Sequence, residues 1–140
     1  MNKKALIHVF SVQPDESDKE EPIEVVTPGS FYKKGDFYYA MYEETEISGM
    51  EGTTTTLKIG EDKFSLIRRG NITSKMEFEM DKKNISMYNT PYGTLQLSID
   101  TKELDIEMGE EGGKISIDYD MTVEGQKPQN TSLNVHIEAQ

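Results

Sequence analysis

The sequence contains no cysteine and no tryptophan, and it has only 15 basic residues against 26 acidic ones. The absence of cysteine excludes a disulfide framework and thiolate chemistry. The net charge of -11 argues against a nucleic-acid partner, because affinity for a phosphate backbone comes from clustered Lys and Arg. No apolar run reaches the roughly 18 residues of a membrane span, and the amino-terminal segment lacks the length and cleavage site of a signal peptide. We therefore expect a cytoplasmic protein without a membrane or nucleic-acid partner.

Alanine is also scarce, with three copies, whereas Val, Ile and Thr together number 30. Branched side chains lose rotamer freedom in helices and pack well on pleated sheets. A chain of 140 residues is long enough for one ordinary core and short for two. The composition therefore predicts a single all-β domain over residues 1–140.

Short runs of alternating polarity follow one another at intervals of about ten residues. Within 72–80, Met76 and Phe78 share one face, while Lys75 and Glu77 share the other. A period of two residues is typical of a strand with one buried and one solvated side. The same alternation, repeated along the second half of the chain, predicts one core that contains Phe78, Leu97, Ile117, Tyr119 and Val135.

Turn residues separate the candidate strands, and short connections favour antiparallel neighbours. Sequential hairpins leave two open edges, and closing the sheet removes them. We predict a closed antiparallel meander β-barrel of eight to ten strands; a two-sheet sandwich is the alternative. The eleven candidate segments lie at about 3–12, 22–28, 37–47, 53–59, 63–69, 72–80, 84–90, 94–101, 103–108, 114–123 and 131–139.

Residues 13–24 break the alternation. They carry six acidic side chains, one lysine and two prolines, Pro14 and Pro22. The carboxylates lack the Gly-centred spacing of a calcium loop, and a run of like charge is usually solvated. We therefore predict an acidic surface loop over 13–24.

Several short motifs resemble those of the YwiB-like family of uncharacterised bacterial proteins, in the same order and over nearly the whole chain. The resemblance implies a calycin-type β-barrel, similar in shape to small-ligand carriers such as lipocalins. It implies no activity and no catalytic residue. The motifs are Tyr42-Glu43-Glu44, Thr54-Thr55-Thr56-Leu57-Lys58-Ile59, Arg68-Arg69-Gly70, Met76 with Phe78, Tyr88 with Thr90-Pro91-Tyr92-Gly93, and Tyr119-Asp120.

The lumen of such a barrel is either filled by its own side chains or holds one small ligand. The side chains expected to face inward include many methionines, which can fill irregular gaps or yield to a guest. The sequence leaves open whether the lumen is filled by side chains or holds a ligand. The inward set comprises Met41, Met76, Met80, Met87, Met108 and Met121, with Phe64, Phe78 and Tyr119.

One strand carries a charge on its apolar face. The alternation that turns Phe64 and Leu66 inward also turns Arg68 inward. On the strand from Phe37, the corresponding face carries Glu43 as a candidate partner. An inward charge must be paired, so the arginine forms either a structural ion pair or a hook for an anionic ligand. The candidate ligand-binding residues are Arg68, Arg69, Glu43 and Tyr39.

Catalysis has little support in the sequence. The two histidines, His8 and His136, are expected to face outward, and no third metal ligand is evident beside them. Nucleophile motifs and glycine-rich phosphate loops before a helix are missing. We therefore predict no catalytic residue, metal or cofactor, and a non-enzymatic barrel that binds a small amphipathic or anionic molecule. The alternative is a protein-interaction or structural module with a filled core.

The charge balance gives the first prediction. We expect no specific binding to DNA or RNA at physiological salt, because the acidic surface repels the phosphate backbone. An electrophoretic shift assay across a salt series measures this. Micromolar binding that weakens steeply with salt would contradict it.

Overall fold

A computed structural model describes residues 2–14, 20–46 and 49–140 of the chain. Among these residues there is no helix that is long and apolar enough to cross a membrane. The described chain forms ten strands: β1 (Lys3–Pro14), β2 (Glu20–Lys34), β3 (Phe37–Glu43), β4 (Thr53–Ile59), β5 (Lys63–Gly70), β6 (Ser74–Glu79), β7 (Lys83–Thr90), β8 (Gly93–Gly109), β9 (Gly112–Val123) and β10 (Gln129–Ala139).

All ten strands belong to one antiparallel sheet in the order β6-β5-β4-β3-β2-β1-β10-β9-β8-β7. The first and last strands pair in the middle of this order, from Ala5 opposite Ala139 to Val12 opposite Ser132. The two outer strands, β6 and β7, are consecutive in the chain and lie side by side. The sheet is therefore a nearly closed barrel, which confirms the predicted fold class, and the sandwich alternative is wrong.

The seam between β6 and β7 closes the barrel without a regular ladder. A single bridge joins Thr73 to Asn89, whose backbone groups exchange two hydrogen bonds of 3.0 and 2.9 Å. Farther along, the Ser86 hydroxyl donates to the carbonyl of Lys75 at 2.6 Å, and the Asn84 amide donates to that of Glu77 at 3.1 Å. Side chains of β7 thus form hydrogen bonds with carbonyls of β6 that a regular backbone ladder between the two strands would otherwise satisfy.

The alternation of inward and outward residues along each strand explains which side chains form the core. All five residues predicted to share the interior are buried. Strand β4 shows the rule clearly, since every second residue from Thr53 to Ile59 is buried. The largest fully buried side chains are aromatic and branched: Phe31, Phe64, Phe78, Ile7, Leu57, Ile59, Ile99, Ile115 and Ile137.

Strand β2 passes close to both neighbouring strands at Gly29. A Cβ atom here would lie 2.3 Å from the carbonyl oxygen of Met41 and 2.5 Å from Cδ1 of Ile7. No side chain fits so close to two neighbouring strands. The glycine thereby permits the close approach of β1, β2 and β3.

Some predicted boundaries differ from the observed ones. The segments at 94–101 and 103–108 form one strand, β8, with a shift of register between Thr101 and Glu103. A bulge of this kind bends a strand without ending it. Of the acidic loop predicted over 13–24, residues 13–14 lie in β1 and residues 20–24 lie in β2. The rest of that segment, 15–19, lies outside the described residues.

The predicted inward faces of β3 and β7 are wrong by one residue. In β3, Ala40 and Tyr42 are buried, whereas Met41 lies on the outer side. In β7, Ser86 is buried and Met87 is half exposed. Met80 is also exposed, because it lies beyond the end of β6. Tyr42 therefore points into the barrel.

The core makes a quantitative prediction. Phe78 is fully buried on β6, so Phe78→Ala should lower the free energy of unfolding by about 3–5 kcal/mol. Ile85→Ala on β7, where the side chain is 69% exposed, should change it by less than about 0.5 kcal/mol. Urea unfolding measures both. Equal losses would contradict the observed register.

Candidate functional site

A cavity of about 440 Å³ opens at one end of the barrel. Its lining comes from the ends of strands that meet there: the carboxyl-terminal ends of β1, β3, β5, β7 and β9 and the amino-terminal ends of β2, β6, β8 and β10. Antiparallel pairing thus gathers residues that are distant in sequence around one opening.

The opposite end of the barrel is filled. Phe64 and Phe78 are fully buried there, with ring centroids 5.8 Å apart, and Tyr119 meets Phe78 edge-on at 4.9 Å. Aromatic pairs at these spacings add to the stabilisation from burial. The aromatic cluster forms the floor of the cavity, since Tyr119 also lines it.

Apolar side chains make up most of the cavity wall. They come from both halves of the chain. Its apolar members are Val9, Ile23, Val25, Met50, Leu66, Ile72, Met76, Leu95, Leu97, Met121, Val123 and Leu133.

Arg68 projects into this cavity from β5. Its side chain is 15% exposed, and its Nε lies 3.9 Å from Oε2 of Glu44. The Nη1 group donates to the sulfur of Met76 at 3.8 Å, which is a weak acceptor. Among the described residues, the buried Nε–H has no hydrogen-bond partner. The guanidinium therefore keeps unused donor capacity beside an apolar wall.

Glu44 follows β3 and holds its carboxylate inside the barrel, with a side chain that is 3% exposed. The Thr55 hydroxyl of β4 donates a short hydrogen bond to it. The Tyr42 phenol also lies beside this carboxylate, whose charge acts on it. Two hydroxyl groups and one guanidinium thus surround a carboxylate that would otherwise be costly to bury.

The tyrosines of the site are held neutral. Burial raises the pKa of Tyr42 far above its ordinary value, and the neighbouring charge of Glu44 raises it further, although Arg68 opposes both effects. Burial also raises the pKa of Tyr119, again against the influence of Arg68. Both phenols therefore act as hydrogen-bonding groups at neutral pH, not as bases.

Tyr88 completes the polar lining from β7. Its hydroxyl donates to the sulfur of Met50 at 3.8 Å. Both residues line the cavity, and Tyr88 lies on the side opposite Tyr42 in the sheet order. A sulfur is a weak acceptor, so this hydroxyl can exchange its partner for a stronger one.

Of the residues predicted for the site, Arg68 is the one that lies in it. Its acidic neighbour is Glu44, not Glu43, because the register of β3 turns Glu43 outward, where it is exposed. Tyr39 lies on the outer face as well, stacked on Tyr32 at 5.1 Å. Arg69 is exposed and does not line the cavity.

The sequence reasoning missed Glu44, Tyr42 and Tyr88. The motif Tyr42-Glu43-Glu44 offers a carboxylate on each face, and nothing within β3 decides between them. The neighbouring strand does decide. Thr53, Thr55 and Leu57 alternate cleanly in β4, and Ala40 lies opposite Leu57, which fixes Ala40, Tyr42 and Glu44 as the inward set.

Comparisons with known proteins place the chain beside other barrels of unassigned function. Residues 7–135 match the family model described as "Domain of unknown function (DUF1934)". The chain is 30% identical over 133 residues to the "Uncharacterized beta-barrel protein YwiB" of Bacillus subtilis, covering 94% of this chain and 91% of that one. The crystal structure of the ywiB protein from Bacillus subtilis superposes with a TM-score of 0.87 at 28% identity, covering 99% of this chain and 93% of that one. The predicted YwiB-like resemblance is confirmed.

The buried pair gives a prediction about stability. Arg68→Met leaves the Glu44 carboxylate without its cation and should lower the free energy of unfolding by about 3–5 kcal/mol. Adding Glu44→Gln removes the stranded charge and should recover most of that loss. Urea unfolding of the single and double variants measures the difference. A double variant no more stable than Arg68→Met would show that the two side chains are not coupled.

Proposed function

We propose that this chain, which belongs to the DUF1934 family, uses its barrel to bind a small amphipathic molecule with an anionic head. The observation that carries the proposal is the unused donor capacity of Arg68 in a largely apolar cavity. A volume of about 440 Å³ lies within the range typical of small-molecule sites. The likeness in shape to lipocalin-type carriers stays a prediction.

The head of the ligand would lie against Arg68. A guanidinium binds carboxylate or phosphate oxygens through two parallel hydrogen bonds, which are stronger than bonds to a thioether. The contact with Met76 is weak and the 3.9 Å separation from Glu44 is long, so a ligand oxygen displaces little. Glu44 limits the affinity of the site for an anionic head group, because its negative charge repels an anion that reaches past Arg68.

The tail of the ligand would lie against the flexible part of the wall. Met50, Met76 and Met121 line the cavity, and unbranched thioethers adapt to guests of irregular shape. The tyrosine hydroxyls of Tyr42 and Tyr88 offer further polar contacts without a charge. The arrangement favours a molecule with one charged end over a fully polar one.

A protein-interaction role is the second candidate, and one observation favours it. The outer face of β7 exposes Ile85 by 69% and Met87 by 50%, beside the irregular seam with β6. Exposed apolar side chains next to an incompletely paired strand are typical of interaction surfaces. The experiment below separates this surface from the cavity.

The proposal predicts saturable binding of the anionic fluorescent probe 1-anilinonaphthalene-8-sulfonate to the folded protein. The double variant Arg68→Met with Glu44→Gln should weaken binding by about tenfold or more, since charge-assisted hydrogen bonds contribute about 1.5–3 kcal/mol. Fluorescence titration gives the dissociation constants. Near-ultraviolet circular dichroism checks that each variant stays folded.

Two control variants are available in the chain. Arg69→Met removes the same charge from the outside of the same strand and should leave probe binding unchanged. The pair Ile85→Ser with Met87→Ser removes the apolar surface of β7 and should also leave it unchanged. Wild-type affinity in the cavity variant, or loss of binding in the β7 variant, would overturn the proposal in favour of the interaction role.

A further inference from the structure

Two histidines and a carboxylate meet on the outer face of the barrel, away from the cavity. His8 of β1 lies directly opposite His136 of β10, and their ring centroids are 5.6 Å apart. Glu138 follows two residues after His136, so it projects from the same face of β10. One donor atom from each of the three residues lies within 4.8 Å of the other two. We propose that His8, His136 and Glu138 form a binding site for a divalent transition metal, with Zn²⁺ as the best match.

The donor set suits zinc. Two imidazole nitrogens and one carboxylate oxygen form a common three-residue set for Zn²⁺, with water in the fourth position. Ligands at about 2.0–2.2 Å from the metal lie about 3–3.6 Å from one another in a tetrahedron. The donor atoms therefore need to approach one another by at most about 1–2 Å. Glu138 and His136 have side chains that are 51% and 40% exposed, so each can move that far.

One ring nitrogen of His8 has no hydrogen-bond partner among the described residues. The Nε2 of His8 is buried, and no described residue forms a hydrogen bond with it. The Nε2 of His136 lies 3.7 Å from Oε1 of Glu138, too far for a good hydrogen bond. A metal ion between the three groups would satisfy all of them. Packing of the two tilted rings alone leaves the Nε2 of His8 unsatisfied.

The neighbouring charge on β9 sets a limit on affinity. Lys114 lies opposite His136 in the β9–β10 ladder and shares its outer face, and it lines the same shallow depression as the two histidines. Its ammonium group repels a cation. Glu107 lies opposite Lys114 on β8 and offsets part of that charge.

Zinc titration of the protein, prepared without a polyhistidine tag, tests the site. Calorimetry should show one Zn²⁺ per chain, and NMR should show both histidine ring signals shifting with Zn²⁺ and not with Mg²⁺, which prefers oxygen ligands. The chain has two histidines, so the signals are few and the wild-type protein suffices. Unshifted histidine signals at saturating Zn²⁺ would overturn the proposal.

Substitutions of the proposed zinc-binding residues test which side chains hold the metal. His8→Gln and Glu138→Gln should each weaken Zn²⁺ binding by about tenfold or more, and Lys114→Gln should strengthen it. Glu103→Gln removes one negative charge from the exposed outer edge of β8 and should have no effect. Equal weakening by Glu103→Gln and Glu138→Gln would show diffuse attraction to an acidic surface and would overturn the site.

Discussion

The pairing of β1 with β10 is the constraint on which the rest of the barrel depends. It joins a six-stranded meander at the amino-terminal end of the chain to a four-stranded meander at the carboxyl-terminal end. Without this ladder each meander would have two open edges and an uncovered apolar face. The contact is also the most distant in sequence, with Ala5 opposite Ala139, so its loop-closure cost must be met before the core can form.

The interior of the closed barrel has two different ends, one filled by side chains and one that contains the cavity. Fully buried phenylalanines from β2, β5 and β6 occupy the filled end. At the other end, Arg68 and Glu44 replace such side chains, and a charged pair needs hydroxyl partners and room that a close-packed core does not provide. Polar residues inside one end therefore explain why a cavity remains there. The sequence left filled and hollow lumens open as alternatives, and the structure contains both.

Much of the fold could be predicted because several strands are apolar on one face and polar on the other. In β9, Ile115 and Ile117 alternate with Ser116 and Asp118, and no other register buries the apolar set. Strand β3 reads Phe37-Tyr38-Tyr39-Ala40-Met41-Tyr42, which is apolar on both faces. Periodicity within that strand cannot select a face, and pairing with β4 makes the selection instead.

Hydrophobic alternation also fails to predict the inward face of β7, for a different reason. Its apolar residues Ile85 and Met87 face outward, while Ser86 is buried. The seam explains this inversion, because the Ser86 hydroxyl serves a carbonyl of β6 where the backbone ladder is absent. The hydroxyl satisfies a partly buried carbonyl, which a methionine side chain could not do. In β7, hydrophobic alternation therefore predicts the strand but not its inward face.

Both proposed sites follow from one property of the sheet, that successive residues face opposite sides. On β5, Arg68 reaches the cavity and Arg69 does not. On β10, Leu133 and Val135 are buried in the barrel, while His136 and Glu138 reach the outside. The sequence could identify Arg68 and the outward histidines from alternation alone. It could not identify Glu44 as the partner of Arg68 or fix His8 opposite His136, because pairing between strands decides each: β3 with β4 in the first case, and β1 with β10 in the second.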